Sequence, residues 1–129
     1  MIKVRVKNTS NYPISSPKIK KNLKAFLKGH GIVSDTEVSV ALVGKEKMIK
    51  LAKKYLGEKQ SVHNVLSFTE NEVSEKFIYP PGGPILLGEI VVCYPKAQEE
   101  ANEENKMIDE KVIELVEHGA LHLLGIHHK

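Results

Sequence analysis

The chain has little that would staple, anchor or stack it. A single cysteine, Cys93, excludes an internal disulfide, and its apolar neighbours in EIVVCYP make it a buried strand thiol and not a nucleophile. Tryptophan is missing and aromatics make up 5% of the residues, which argues against a base-stacking platform of the kind single-strand binders use. No run reaches the roughly 18 to 20 apolar residues of a membrane span. The start, MIKVRVKNTS, alternates apolar and basic residues where a secretory leader would be continuously apolar. A cytoplasmic protein without membrane contact is the expectation. Neither an internal repeat nor a Pro/Gly-rich linker divides the 129 residues, and 41% apolar with 27% charged content suits one globular domain over 1–129.

What charge there is lies unevenly. Residues 1–60 carry 14 Lys+Arg against 4 Asp+Glu, or +10, whereas residues 61–129 carry 5 against 12, or −7. Segregation of this kind implies a basic surface for a polyanion, with contacts directed at phosphates. The plainer alternative is lysines coating the exposed faces of the early helices.

In IKVRVK, Ile2, Val4 and Val6 alternate with Lys3, Arg5 and Lys7, the period of a half-buried strand. Ser16 can cap and Pro17 can open a helix through about Lys28, with Ile19, Leu23, Phe26 and Leu27 as its apolar stripe. EVSVALVG predicts a second strand. KEKMIKLAKKYLG predicts a second helix that buries Met48, Leu51, Ala52 and Tyr55 and closes at Gly57. NVLSFT and ILLGEIVVCY predict two more strands, the latter apolar enough to be central. The polar segment over 71–84 between them has the composition of a lid or a loop tip. PKAQEEANEEN has helical propensity, and a last helix is expected over about Ile108–Leu124. Apolar residues cover most of that helix, so burial on several sides is expected. Its polar residues Lys111, Glu114, His118 and His122 form one stripe. The order β-α-β-α-β-β-α-α gives an α+β fold: a single domain with a mixed sheet of about four strands, helices packed on it and a buried C-terminal helix.

That last helix leads into EHGALHLLGIHHK. His118 and His122 are one turn apart and leave the same face, close enough to grip one ion. Gly125 can take the left-handed conformation that ends a helix and turns the chain back, which would bring His127 or His128 to the open side of the ion. Three imidazoles suit zinc, with nickel, copper or iron as other transition metals of matching ligand type. Three protein ligands with an open position mark a catalytic zinc, whereas a fourth ligand from His127 would close a structural one. The metallopeptidase pattern HExxH needs a glutamate after the first histidine. That position is Gly119, which argues against peptide hydrolysis.

HGALHLLGIHH, residues 118–128, resembles the signature of the YbeY-type endoribonucleases, or rRNA maturation factors, written H-G-x-L-H-L-x-G-x-D-H. HNVLSF (63–68) is similar to the family's T-D-V-L-S-F segment, and LLGEIVVC (86–93) to its L-G-D-I strand. The resemblance implies that His118, His122 and His128 hold one ion, usually zinc. It also implies a metal-dependent, single-strand-specific endoribonuclease acting at the 3′ end of small-subunit rRNA and in ribosome quality control. Implied partners are rRNA in the small ribosomal subunit, a small-subunit ribosomal protein and an assembly GTPase. Glu89 stands where the family has an aspartate near the cleft and becomes the catalytic candidate. Val65 to Phe68 would line the cleft, with Ser67 as a substrate-binding residue.

Beside Glu89, four positions depart from the pattern. His127 replaces an aspartate, His63-Asn64 replaces Thr-Asp, and Leu56 follows Tyr55 where the family has an arginine suited to clamping phosphate. Lys53, Lys54 or Lys59 would then serve as point charges for the substrate. Glu114 either orients a ligand or faces solvent. Beside the nuclease stands a second expectation: a catalytically weakened, metal-stabilised assembly factor that binds rRNA or the ribosome.

Overall fold

The protein is described by a computed structural model covering residues 1–57, 62–69 and 83–125. Strands β1 (Ile2–Lys7), β2 (Thr36–Val43), β3 (Val65–Thr69) and β4 (Ile85–Cys93) form one sheet in the order β1-β2-β4-β3. β1, β2 and β4 run parallel and β3 pairs antiparallel with β4. The helices are α1 (Ser16–Gly29), α2 (Lys45–Leu56), α3 (Tyr94–Glu103) and α4 (Ile108–Leu123). Among the described residues, the mixed α+β sheet and the element order expected above are therefore the ones observed. β4, the most continuously apolar strand, lies inside the sheet because both of its faces are covered.

Strand alternation sends residues to two separate cores. Val4, Val38, Val40, Ile90 and Val92 pack with Ile19, Leu23 and Leu27 of α1, Ala97 of α3, and Val112 and Val116 of α4. Ala41, Val91, Leu66 and Phe68, one residue out of step with that set, pack with Met48 and Ala52 of α2. The sheet thus stands between α2 and the other three helices. Cys93 is buried in the second core, as expected for a strand thiol.

Two details differ from the sequence expectations, the cap of α1 and the place of Lys111. The cap of α1 is Ser15, whose hydroxyl accepts from the Lys18 amide at 3.2 Å. Ser16 is instead the first helical residue, and Pro17 follows inside the first turn, where amides have no intrahelical partner to lose. Helix α4 is buried on several sides, as expected, packing against β3, β4, α1 and α3 with Val112, Leu115, Val116, Gly119, Ala120 and Leu123 buried, while Glu114, His118 and His122 are exposed. Lys111 leaves the polar stripe: it is buried, and its Nζ lies 2.8 Å from Glu104 and 3.4 Å from Glu114. The turn from α3 into α4 carries Glu104 over it.

Burial alone would pull the Lys111 ammonium down, but Glu104, Glu114 and Glu100 outweigh that and hold it above the ordinary lysine value. Lys111 and Lys106 in turn lower the Glu104 carboxyl, and Lys106 and Lys111 lower that of Glu114. Depressed carboxyls stabilise the fold above the ordinary glutamate value of 4.5 and lose that contribution as pH falls through their folded values. Acidification below about pH 4.5 is expected to lower Tm, and Glu104→Gln to flatten that decline. Thermal melts across the acid range check this, and parallel curves for both proteins would contradict it.

Candidate active site

Helix α4 can lie this close to the sheet because Gly119 has no side chain. A Cβ there would stand 2.7 Å from Ile90 Cγ2 and 3.5 Å from Val65 Cγ2. With Gly119 turned inward, His118 and His122 fall on the outer flank of the helix, beside β3. Ser67 projects from β3 to the α4 face, and its Oγ is 2.5 Å from His122 Nδ1. When Nδ1–H donates to that hydroxyl, Nε2 is the unprotonated nitrogen of the ring. His118 stands one turn away on the same face, at the mouth of a groove of about 440 Å³ bordered by Asn64, Lys111, Glu114 and Glu117.

Phe26, Leu115 and Leu121 give the groove an apolar side, and its polar side is largely spoken for by ion pairs. Glu114, expected either to orient a ligand or to face solvent, is exposed, and its carboxylate accepts from Lys106 at 2.6 Å and from Lys111. Burial, and then the Glu114 charge, push the Glu117 carboxyl up. Asn64, which stands in place of the family aspartate, donates to Glu100 of α3 at 3.0 Å. Glu117 was not singled out from the sequence. Its position directly before His118 was legible, but its half-burial depends on the packing of α4.

Gly125 is left-handed at φ 77, as the helix-ending reading requires. His127, His128, Lys59 and most of the 71–84 segment lie outside the described residues. Among the described residues, no group of three His, Cys, Asp or Glu side chains is placed to hold an ion, and His118 and His122 supply two donors. A pair of imidazoles one turn apart, one with its Nδ1 held, suits a transition metal and not a hard cation.

The other nominated residues lie across the sheet. Glu89 pairs in register with Phe68 and lies on the α2 face, with Lys7 Nζ 3.8 Å from its carboxylate. Lys53 and Lys54 are exposed on the last turns of α2, and Lys54 Nζ sits 5.0 Å from the Tyr55 ring centre. Leu56, at the end of α2, is 48% exposed. The structure brings His118, His122 and Ser67 together and keeps Glu89, Lys53 and Lys54 apart from them.

The family model for endoribonuclease YbeY matches residues 5–129 of this chain. The chain belongs to the YbeY endoribonuclease family. An endoribonuclease YbeY from Dehalococcoides mccartyi is 32% identical over 98% of this chain and 77% of its own length. One from Magnetococcus marinus is 38% identical over 72% of this chain and 65% of its own, and one from Acinetobacter baylyi 33% over 86% and 68%. The solution structure of TM1509 from Thermotoga maritima superposes with a TM-score of 0.59 at 26% identity, covering all of this chain and 75% of that one. Within the YbeY family, then, this chain spans about two thirds to three quarters of the length of these relatives. Among its described residues no helix is long and apolar enough to cross a membrane.

A serine bonded to a metal-ligating imidazole fixes ring orientation, and loss of such outer partners costs metal affinity. If His122 is one of the ligands of a bound ion, Ser67→Ala is expected to weaken zinc binding by roughly tenfold or more with little change in Tm. Competitive zinc titration against a chromophoric chelator checks this, and unchanged affinity would remove Ser67 from the site.

Proposed function

We propose that this YbeY-family chain is a metal-dependent endoribonuclease that cuts single-stranded RNA in maturing the 3′ end of small-subunit rRNA and in ribosome quality control. His118, His122 and His128 would hold one divalent ion, with zinc the first choice for imidazole donors. The observation that carries the reading is the exposed His118–His122 pair with Ser67 seated on His122 Nδ1. Relatives named endoribonuclease YbeY match nearly the whole chain, which supports the reaction class.

A divalent ion at these histidines supplies positive charge to phosphoryl oxygens as charge develops on them in the transition state. The protein's own residues prepare the place. Ser67 orients one imidazole, Gly119 lets the helix settle so that both histidines face outward, and the adjoining groove leaves room for a strand to approach. Its partners would be rRNA in the small subunit, a small-subunit ribosomal protein and an assembly GTPase, and its compartment the cytoplasm.

One position favours a second reading, a weakened assembly factor that binds rRNA without cutting it. Leu56 is exposed at the end of α2 and cannot replace a bidentate guanidinium. Zinc-loaded wild type, His118→Ala and Leu56→Arg, each incubated with single-stranded precursor rRNA, separate the two. The nuclease reading expects cleavage by wild type and a fall of roughly a hundredfold or more in His118→Ala. Equal cleavage by both would sink it, and cleavage only by Leu56→Arg would establish the assembly factor.

A further inference from the structure

On the α2 side of the sheet, away from the histidines, a cavity of about 370 Å³ opens between α2 and the strands. That is within the size range of small-ligand sites, roughly 300 to 1,000 Å³. Its floor is apolar, formed by Ala41, Val91 and Phe68 with Leu51 above. Tyr55 makes one wall, held by an aromatic contact with Phe68 at 4.7 Å between ring centres. The rim is cationic. Lys47 and Lys54, seven residues apart, stand on one side of α2, and Lys7 reaches in from the end of β1. Among the described lining residues Glu89 is the one carboxylate, and its contact with Lys7 is a 3.8 Å pair open to solvent on the lysine side. Such pairs are weak and exchange readily for a ligand.

An apolar floor, ammonium groups at the mouth and, among the described residues, one carboxylate inside match a ligand with an apolar-faced body, an anionic tail and an N–H edge. A nucleotide has all three. Among the four RNA bases only guanine presents two adjacent donors, N1–H and the N2 amine, to a two-oxygen acceptor. Adenine and cytosine offer an amine beside an acceptor, and the one ring N–H of uracil lies between two carbonyls. We propose that this cavity is a guanosine subsite for single-stranded RNA, with the base on the Phe68 floor, Glu89 accepting from its Watson–Crick edge, and the phosphate at Lys47 and Lys54. The subsite rests on the RNA reading of the histidine face. It assigns Glu89 to recognition of the strand and not to bond cleavage.

The test uses full-length, metal-free protein labelled with nitrogen-15 and titrated separately with GMP, AMP, UMP, CMP and inorganic phosphate. GMP is expected to shift the backbone amides of Leu51, Tyr55, Phe68 and Glu89 and to bind roughly tenfold tighter than UMP. Glu89→Gln, nearly isosteric, should lose that preference while keeping the wild-type melting curve. Lys54→Ala, at an exposed position, should weaken every nucleotide and lower the salt dependence of oligonucleotide binding by about one phosphate contact. Equal shifts with inorganic phosphate, equal affinity for GMP and UMP, or shifts confined to α4 would each overturn the subsite. Failure here is distinguishable from failure of the nuclease reading. Guanine-selective binding without cleavage would remove only the nuclease, and cleavage without it would remove only the subsite.

Discussion

Gly119→Glu is expected to unfold the protein. The substitution creates HEALH, which fits the metallopeptidase pattern, and sequence alone would read it as a gain of function. The structure turns position 119 into the sheet, where even a Cβ meets Ile90 Cγ2 at 2.7 Å and Ile90 is fully buried. A glutamate there must bring a carboxylate among Ile90, Val65 and Ala120 or push α4 off the sheet. Burial of an unpaired charge joined to overpacking belongs to the rare class costing more than about 4 kcal/mol. A domain of this size has only about 5 to 15 kcal/mol to lose. Gly119→Ala grades the effect: better helix propensity, about 1 kcal/mol, opposes the clash, and a net loss of about 1 kcal/mol is expected. Urea denaturation followed by far-UV circular dichroism measures both. A Gly119→Glu protein with wild-type stability would mean that α4 does not seat against β4 as described.

Gly88→Ala is expected to cost about 3 to 5 kcal/mol, a large loss for one methyl group. Gly88 has φ 141, a region that side chains avoid, and its missing Cβ would stand 2.2 Å from the Phe68 carbonyl oxygen. The obstacle is backbone, so relief requires β3 to move away from β4. That motion would carry Ser67 from His122, and zinc affinity should therefore fall along with stability. Urea melts and zinc titration on the same protein test the pair. A loss below about 1 kcal/mol would contradict the close approach of the two strands.

Both glycines show where the sequence was legible and where it was not. Period-two alternation in IKVRVK and the apolar stripes of α1 and α2 were readable because each element has one wet face. The sheet position of β4 followed from its apolar length. Its phase did not. LLGEIVVC is apolar on both faces, and a bulge between Glu37 and Val38 skips Leu87, so counting along the strand cannot say which way Glu89 points. The histidine pair was legible because helix geometry alone joins positions four apart. The Ser67 contact spans 55 residues and needed the sheet. Burial of Lys111 was equally hidden, since its carboxylate partners lie mostly on another helix and on the turn before α4. The separation of Glu89 from the histidines likewise belongs to tertiary structure.

β3 is five residues long, and its alternation gives Ser67 to the histidines and Leu66 and Phe68 to the α2 core. A strand this short at the edge of a sheet has no spare turn in which to absorb a frame error. Deleting one residue after Val65 would exchange the two faces for everything beyond it: the serine would enter an apolar core and a phenylalanine would meet His122. Change in this segment that keeps the fold is therefore confined to substitutions that keep its length.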